Sequence, residues 1–232
     1  MKTIMLGLML SGLASAALAI EPAELDNRIR TLTDKFEAFQ HRPDNGIPSE
    51  ILRRAQGIIL LDTTKGGFVF AYQGGGGVAM VKDAKLKKWS PAAFLKASQA
   101  SLGFLIGGEE NFHIILLMTT NAAWRLADSK IEFGAGASGT AGDSSAGVDA
   151  KSPTEQDVLV YKESTGLYGG AAIKGGGISF DGEANGVYYG QYLGMGDILF
   201  NHKVQPSAAA SHLASEIDLY AHKQDGSNSA KN

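Results

Sequence analysis

Seven short runs of aliphatic, β-branched and aromatic residues, bounded by glycine, constrain the fold of this 232-residue chain more than any other feature. They are Ile58 to Leu61, Phe68 to Tyr72, Val78 to Val81, Phe104 to Ile106, Phe112 to Met118, Val158 to Tyr161 and Ile178 to Phe180. Runs of this length and composition read as β-strands. The 30 glycines, roughly 13% of the chain where about 7% is usual, therefore need a structural role. They cluster without a G-X-Y period, which excludes collagen, and the apolar runs between the clusters exclude a low-complexity linker. Glycine in strands marks bulges, sharp bends and close backbone approaches. The expected architecture is α+β: a curved, glycine-rich antiparallel β core, open or closed as a barrel, flanked by N- and C-terminal helices.

Helical signals lie at both ends. Between Glu21 and Arg42, the residues Leu25, Ile29, Leu32, Phe36 and Phe39 step by four, three, four and three, the period of an amphipathic helix. Pro48 and Ser49 open a second short helix through Leu52 to Ala55, with serine as the expected cap. Further helices are expected over Ala122 to Ala127, near Asn185, and from Ser207 to Tyr220. Sliding the chain by one hundred residues places Gly66, Ala71, Gly75, Gly76 and Gly77 on Gly166, Ala171, Gly175, Gly176 and Gly177, and Val78 on Ile178. This echo reads either as glycine bias or as two related hairpins on opposite sides of one sheet system.

Residues 1–19 read as a secretory signal: Lys2 is a positive n-region, Ile4 to Leu13 an apolar h-region, and Ala17-Leu18-Ala19 a cleavage site. The expected mature chain starts at Ile20. It forms a single domain over residues 20–222, with an N-terminal helix at 21–42, a core at 48–220 and a polar, disordered tail at 223–232. The expected location is periplasmic or secreted. The chain has no cysteine, which excludes disulfides, thiolate metal sites, a catalytic thiol and a lipidated cysteine. A hydrophobic fraction of 44% and a net charge of -3 describe a folded protein without global attraction to nucleic acid.

Several segments imitate catalytic motifs. Gly134-Ala135-Gly136-Ala137-Ser138-Gly139 fits G-x-G-x-x-G, with Glu155 and Asp157 about twenty residues on, but residues 140–152 carry no helical apolar stripe to hold a pyrophosphate. Asp181-Gly182-Glu183-Ala184-Asn185-Gly186 opens like a calcium loop, yet Tyr192 stands where the bidentate acid belongs. The alternative is a turn after a strand, with Asn185 capping a helix. The five histidines show no H-E-x-x-H spacing, and His113 lies in an apolar run as a core residue. No G-x-S-x-G elbow or Walker loop is present. The expectation is a non-enzymatic protein without catalytic residues, cofactor or metal.

One segment has the character of an interaction site. Lys82-Asp83-Ala84-Lys85-Leu86-Lys87-Lys88-Trp89 sets four lysines within seven positions beside a tryptophan, on an otherwise acidic chain. Lysines attract anionic bilayers and tryptophan prefers the headgroup level. The candidate lipid-binding residues are therefore Lys82, Lys85, Lys87, Lys88 and Trp89, with Arg53 and Arg54 as a second basic pair. The alternative is a solvated hairpin turn with Trp89 buried.

The ordered set Arg54-Ala55-Gln56-Gly57-Ile58, Gly67-Phe68, Gly74 to Gly77 with Val78, Trp89-Ser90-Pro91, Gly103 to Gly108, Phe133-Gly134, Ser164-Thr165-Gly166-Leu167, Asp181, Asn185, Tyr188-Tyr189-Gly190 and Ile198-Leu199-Phe200 resembles the SYLF domain, the Ysc84-like lipid- and actin-binding family. The resemblance covers about residues 50 to 220 and suggests a bacterial secreted member. It implies a non-enzymatic module that binds membrane lipid, phosphoinositides in eukaryotic members, with actin association in some. An exported chain does not meet phosphoinositides or actin in the ordinary way. The expected partner is an anionic phospholipid surface of the cell envelope, without nucleic acid; the alternative is an envelope protein docked on aromatic residues or on the 140–152 segment.

Overall fold

The computed structural model describes residues 20–43, 46–62, 76–83, 85–97, 112–127, 130–131, 156–162, 166–169 and 178–223. The expected signal segment at 1–19, the runs at 68–72 and 104–106, the glycine motif at 134–139, the 140–152 segment and residues 224–232 lie outside the described residues. Among the described residues, eight strands form one sheet: β1 (Gly57–Asp62), β2 (Gly76–Val81), β3 (Ala93–Ala97), β4 (Phe112–Leu117), β5 (Lys130–Ile131), β6 (Val158–Lys162), β7 (Gly166–Gly169) and β8 (Ile178–Phe180). Their order is β5-β8-β3-β2-β1-β4-β6-β7, every neighbour pair is antiparallel, and among the described residues the sheet is open rather than closed as a barrel.

The central strands are almost wholly apolar, with Asp62 ending β1 and His113 near the start of β4, because both faces of the sheet are covered. In β1, Ile58 and Leu60 point to a first core, whereas Ile59 and Leu61 point to a second. On β4, Ile114 and Leu116 join the first core; Ile115 and Leu117 join the second. Side chains alternate across a strand, so a run without polar residues requires two apolar layers. Helices α1 (Pro22–Gln40), α2 (Ser49–Arg54) and α6 (Ala208–His222) cover the first face. Helix α3 (Thr120–Trp124), the 3-10 turn Arg125–Ala127 and α5 (Met195–Leu199) cover the second. Helix α4 (Gly182–Tyr189) gives Ala184 to the first core, while its Tyr189 packs against the second.

Local chemistry accounts for several helix ends. The stripe Leu25, Ile29, Leu32, Phe36 and Phe39 is the buried face of α1. Ser207 caps α6 by accepting the Ala210 N–H at 3.1 Å. Asp181, rather than Asn185, caps α4, its carboxylate accepting the Ala184 N–H at 3.1 Å. Gly190 closes that helix in the left-handed region at φ 64°. Ser49 is the first residue inside α2, and Pro48 holds the N-cap position there without a side-chain hydrogen bond. Strands β3, β5 and β7 and helix α5 were not among the expected elements.

Gly77 shows why one glycine cluster borders a strand. It pairs with Leu61 on β1 and with Leu95 on β3, and a Cβ at this position would lie 2.2 Å from the Leu60 carbonyl oxygen. The hundred-residue echo also gains a spatial meaning. Val78 lies on β2 and Ile178 on β8, and these two strands flank β3 on opposite sides. Gly76, Gly77 and Gly166 are described as strand residues, but the rest of the echo's glycines lie outside the described residues.

Candidate functional site

The candidate lysines form the turn between β2 and β3. Lys82 and Trp89 pair as the last bridge, and the loop closes when Asp83 N–H donates to the Lys88 carbonyl at 2.8 Å and Lys87 N–H to the Asp83 carbonyl at 2.9 Å. The Asp83 carboxylate accepts the N–H groups of Lys85 at 2.7 Å and Leu86 at 2.6 Å. These two bonds, Leu86 first, together with His202, hold the Asp83 carboxyl below the ordinary aspartate value. Lys87 sits at φ 55°, in the left-handed region where non-glycine residues are uncommon. The loop is thus tied down from inside by one short acidic side chain.

That architecture leaves Lys85, Leu86, Lys87 and Lys88 exposed in succession. Leu86, at 62% exposure, is a large apolar side chain in water between cations. Among the described residues, no carboxylate pairs with Lys85, Lys87 or Lys88. Lys82 differs from them: its ammonium lies 3.5 Å from the Asp218 carboxylate of α6 and 5.4 Å from the Trp89 ring centroid.

Trp89 corrects an expectation. It is only 8% exposed and belongs to the first core, with its indole N–H donating to Asp218 at 3.1 Å. The next residue, Ser90, exchanges bonds with Val81, its N–H donating to the Val81 carbonyl at 2.8 Å and its hydroxyl accepting the Val81 N–H at 3.0 Å. Trp89 therefore anchors the hairpin to α6 and cannot insert at headgroups in this arrangement. Amphipathic residues at a strand end bury the ring and bond the polar handle, and Asp218 is far away in sequence, so the run alone carries no sign of it.

Arg53 and Arg54 are exposed in the last turn of α2. The segment after them reaches the hairpin directly: the Gln56 carbonyl accepts the Lys82 N–H at 2.9 Å. Both basic groups thus leave the same end of the sheet. A third feature at that end is absent from the sequence expectations. His202 meets the Asp83 carboxylate at 3.0 Å, and two residues before it Phe200 stacks on Trp124 with centroids 4.2 Å apart and planes 7° from parallel. Trp124 is 53% exposed. Within the short helix expected at 122–127, nothing in its spacing distinguishes an outward tryptophan from an inward one. The segment carrying His202 is braced by Asp197, which accepts from Lys203 at 2.9 Å and from Asn201 at 3.2 Å.

The segment resembling a calcium loop is otherwise engaged. Asn185 is fully buried; its amide oxygen accepts the Phe94 N–H at 3.0 Å, and its NH2 donates to the carbonyls of Phe94 at 2.9 Å and Asp181 at 2.7 Å. With the Asp181 carboxylate capping α4, this segment fastens a helix to β3. His113 is fully buried on β4.

Comparison with known proteins locates this arrangement. The family profile described as "Ysc84: Las17-binding protein actin regulator" matches residues 98–220, just over half of the chain. The match begins after β3, so the lysine hairpin lies outside it. "LAS seventeen-binding protein 3" of Saccharomyces cerevisiae is 27% identical over 195 residues, covering 81% of this chain and 42% of that protein. "Protein YSC84" of the same yeast is 29% identical over 173 residues, covering 72% of this chain and 36% of that protein. "SH3 domain-containing YSC84-like protein 1" of Homo sapiens is 27% identical over 188 residues, 79% of this chain and 54% of that protein. The chain thus spans less than two thirds of each of these relatives. From the profile match and the ordered glycine and aromatic positions, the chain belongs to the Ysc84 (SYLF domain) family.

Proposed function

We propose that this chain is a non-enzymatic, lipid-binding module that associates peripherally with anionic phospholipid of the cell envelope. The observation that carries the reading is the hairpin tip: three exposed lysines, Lys85, Lys87 and Lys88, surround the exposed Leu86 on a turn held rigid by Asp83. Near an anionic leaflet each lysine contributes about 1 kcal/mol, and burying a leucine side chain contributes about 1.5–3 kcal/mol. Arg53 and Arg54 extend the basic end, Lys82 is committed to Asp218, and Leu86 takes the insertion role first assigned to Trp89. The signal segment at residues 1–19 supports delivery outside the cytoplasm. Among the described residues no helix is long and apolar enough to cross a membrane, so the proposed association is made at the surface.

Cosedimentation with phosphatidylglycerol vesicles tests this. Lys85→Glu, Lys87→Glu and Lys88→Glu together are expected to weaken binding about 100-fold or more, from roughly 3 kcal/mol of lost attraction. Raising the salt above 0.1 M should weaken wild-type binding in the same direction, since exposed charges are screened over about 10 Å. Binding indifferent to both treatments would overturn the reading.

A second reading rests on the Trp124–Phe200 stack, an exposed aromatic surface beside the same hairpin. The name of one yeast relative, "LAS seventeen-binding protein 3", and the family description refer to protein binding. In that reading the chain docks an envelope protein, and Trp124→Ala abolishes its capture without changing vesicle binding.

A further inference from the structure

Helices α1 and α6 bring together three metal-ligating side chains that are not part of the lysine hairpin. His212 and Glu216 stand four residues apart on α6, which places them on one helix face, and Glu37 faces them from α1. One donor atom from each, an imidazole nitrogen and two carboxylate oxygens, lies within 4.8 Å of the other two. His212 Nδ1 is already 3.8 Å from Glu216 Oε1. We propose that Glu37, His212 and Glu216 form a binding site for a divalent first-row transition ion, bridging the N-terminal helix to the C-terminal one.

The donor set argues for that class of ion. Zinc and its neighbours accept one imidazole with carboxylates at about 2.0–2.2 Å, so small rotations of long glutamate side chains bring donors 4.8 Å apart onto one centre. Calcium prefers six to eight oxygens, and magnesium keeps several waters around few carboxylates; a histidine suits neither. The electrostatics agree with the geometry. Among the described residues neither Glu37 nor Glu216 pairs with a lysine or arginine. The Tyr220 phenol, one turn beyond Glu216, has its pKa raised first by burial and then by the negative fields of Glu37 and Glu216 together. Two carboxylates directed at one place without a cation are in the condition that a divalent ion relieves.

His41, one turn from Glu37 on α1, is the competing histidine. Its ring faces Tyr220, with Nδ1 at 2.8 Å from the Glu37 carbonyl and 3.3 Å from the Tyr220 hydroxyl. It is therefore engaged one turn away from the three donors. The bridging ion would act on the first face of the sheet, where α1 and α6 lie against each other through Phe36 and Tyr220, whose centroids are 5.8 Å apart. Its effect is to clamp two elements that are remote in sequence. A ligand that binds only the folded state stabilises it by mass action.

Metal-stripped protein titrated with zinc, with magnesium as the control, provides the test. The expected results are one zinc per chain by calorimetry and a Tm raised by about 5 °C at saturating zinc, reversed by a chelator, with no response to magnesium. His212→Ala and, separately, Glu37→Gln should each reduce zinc affinity at least about 10-fold, as loss of one of three ligands requires. The readout is the zinc-dependent shift and not the Tm itself, because removing one of two like charges alters the metal-free protein as well. His41→Ala should retain the shift. Absence of stoichiometric zinc binding overturns the proposal, and so does a zinc response that survives both His212→Ala and Glu37→Gln.

Discussion

Gly77 and Gly186 show that the same residue type has opposite meanings at different places in this chain. Gly77 lies between two strands, where an added Cβ would meet the Leu60 carbonyl oxygen at 2.2 Å, and backbone in the middle of a sheet cannot retreat. Gly77→Ala is expected to destabilise the protein by about 3 kcal/mol or more, at the upper end of the usual overpacking cost. Gly186 is inside α4, and its Cβ would meet only the Tyr192 ring at 3.7 Å, an ordinary contact. Gly186→Ala is expected to stabilise by about 0.5–1 kcal/mol, through the lower entropy of the unfolded chain. Urea unfolding of the two variants checks both signs, and a neutral Gly77→Ala would show that β1 and β2 can separate locally. The glycine excess was legible as a need for close approach, but which glycine meets which carbonyl depends on strand pairing. Asn185 carries the same lesson. Its buried bonds to Phe94 link residues 91 positions apart, so its sequence neighbours suggested only a cap or a ligand.

At the scale of elements, the 82–89 turn was legible from its charge and the strands on either side, whereas its fastening was not. Trp89 and Lys82 share one partner, Asp218, on a helix more than a hundred residues later. Strand β3 was missed because Ala93–Ala97 is short, carries Lys96, and has alanine at both ends, which weakens its β signal. The part of the hairpin built locally yields a pH prediction. The Asp83 carboxyl lies below its ordinary value because its ionised form accepts the N–H groups of Leu86 and Lys85 and meets His202. A folded-state pKa depressed in this way contributes order that is complete above the ordinary aspartate value, and that order is lost as pH falls through the folded value. The backbone amide resonances of Lys85 and Leu86 should therefore titrate together with a midpoint below the ordinary aspartate value of 3.8. In Asp83→Asn this titration should vanish. A midpoint at or above the ordinary value would mean that the carboxylate does not hold the loop.

For the molecule as a whole, the two cores share a single sheet, and that arrangement determines how it must unfold. Adjacent residues such as Ile59 and Leu60 serve opposite layers, so neither layer can lose its strand surface without exposing the other. The sequence shows that β1 and β4 carry successive aliphatic residues on both faces, and hence that two layers exist. It does not show that α1, α2 and α6 take one face and α3 and α5 the other, since that partition depends on pairing across the whole chain. The two tryptophans report the layers separately: Trp89 is part of the first core, and Trp124 stacks on Phe200, which packs against the second. In thermal unfolding followed by fluorescence, Trp89→Phe leaves the second-layer probe and Trp124→Phe leaves the first-layer probe. Once each variant is referred to its own unfolding by circular dichroism, both probes should share that midpoint, as a two-state domain requires. Leu60→Ala and Ile59→Ala, introduced separately, should each lower stability by about 2–5 kcal/mol and move both probes equally. If Leu60→Ala shifted the Trp89 transition while the Trp124 transition stayed in place, the layers would be separate cooperative units, and a clamp between α1 and α6 would then stabilise the first layer alone.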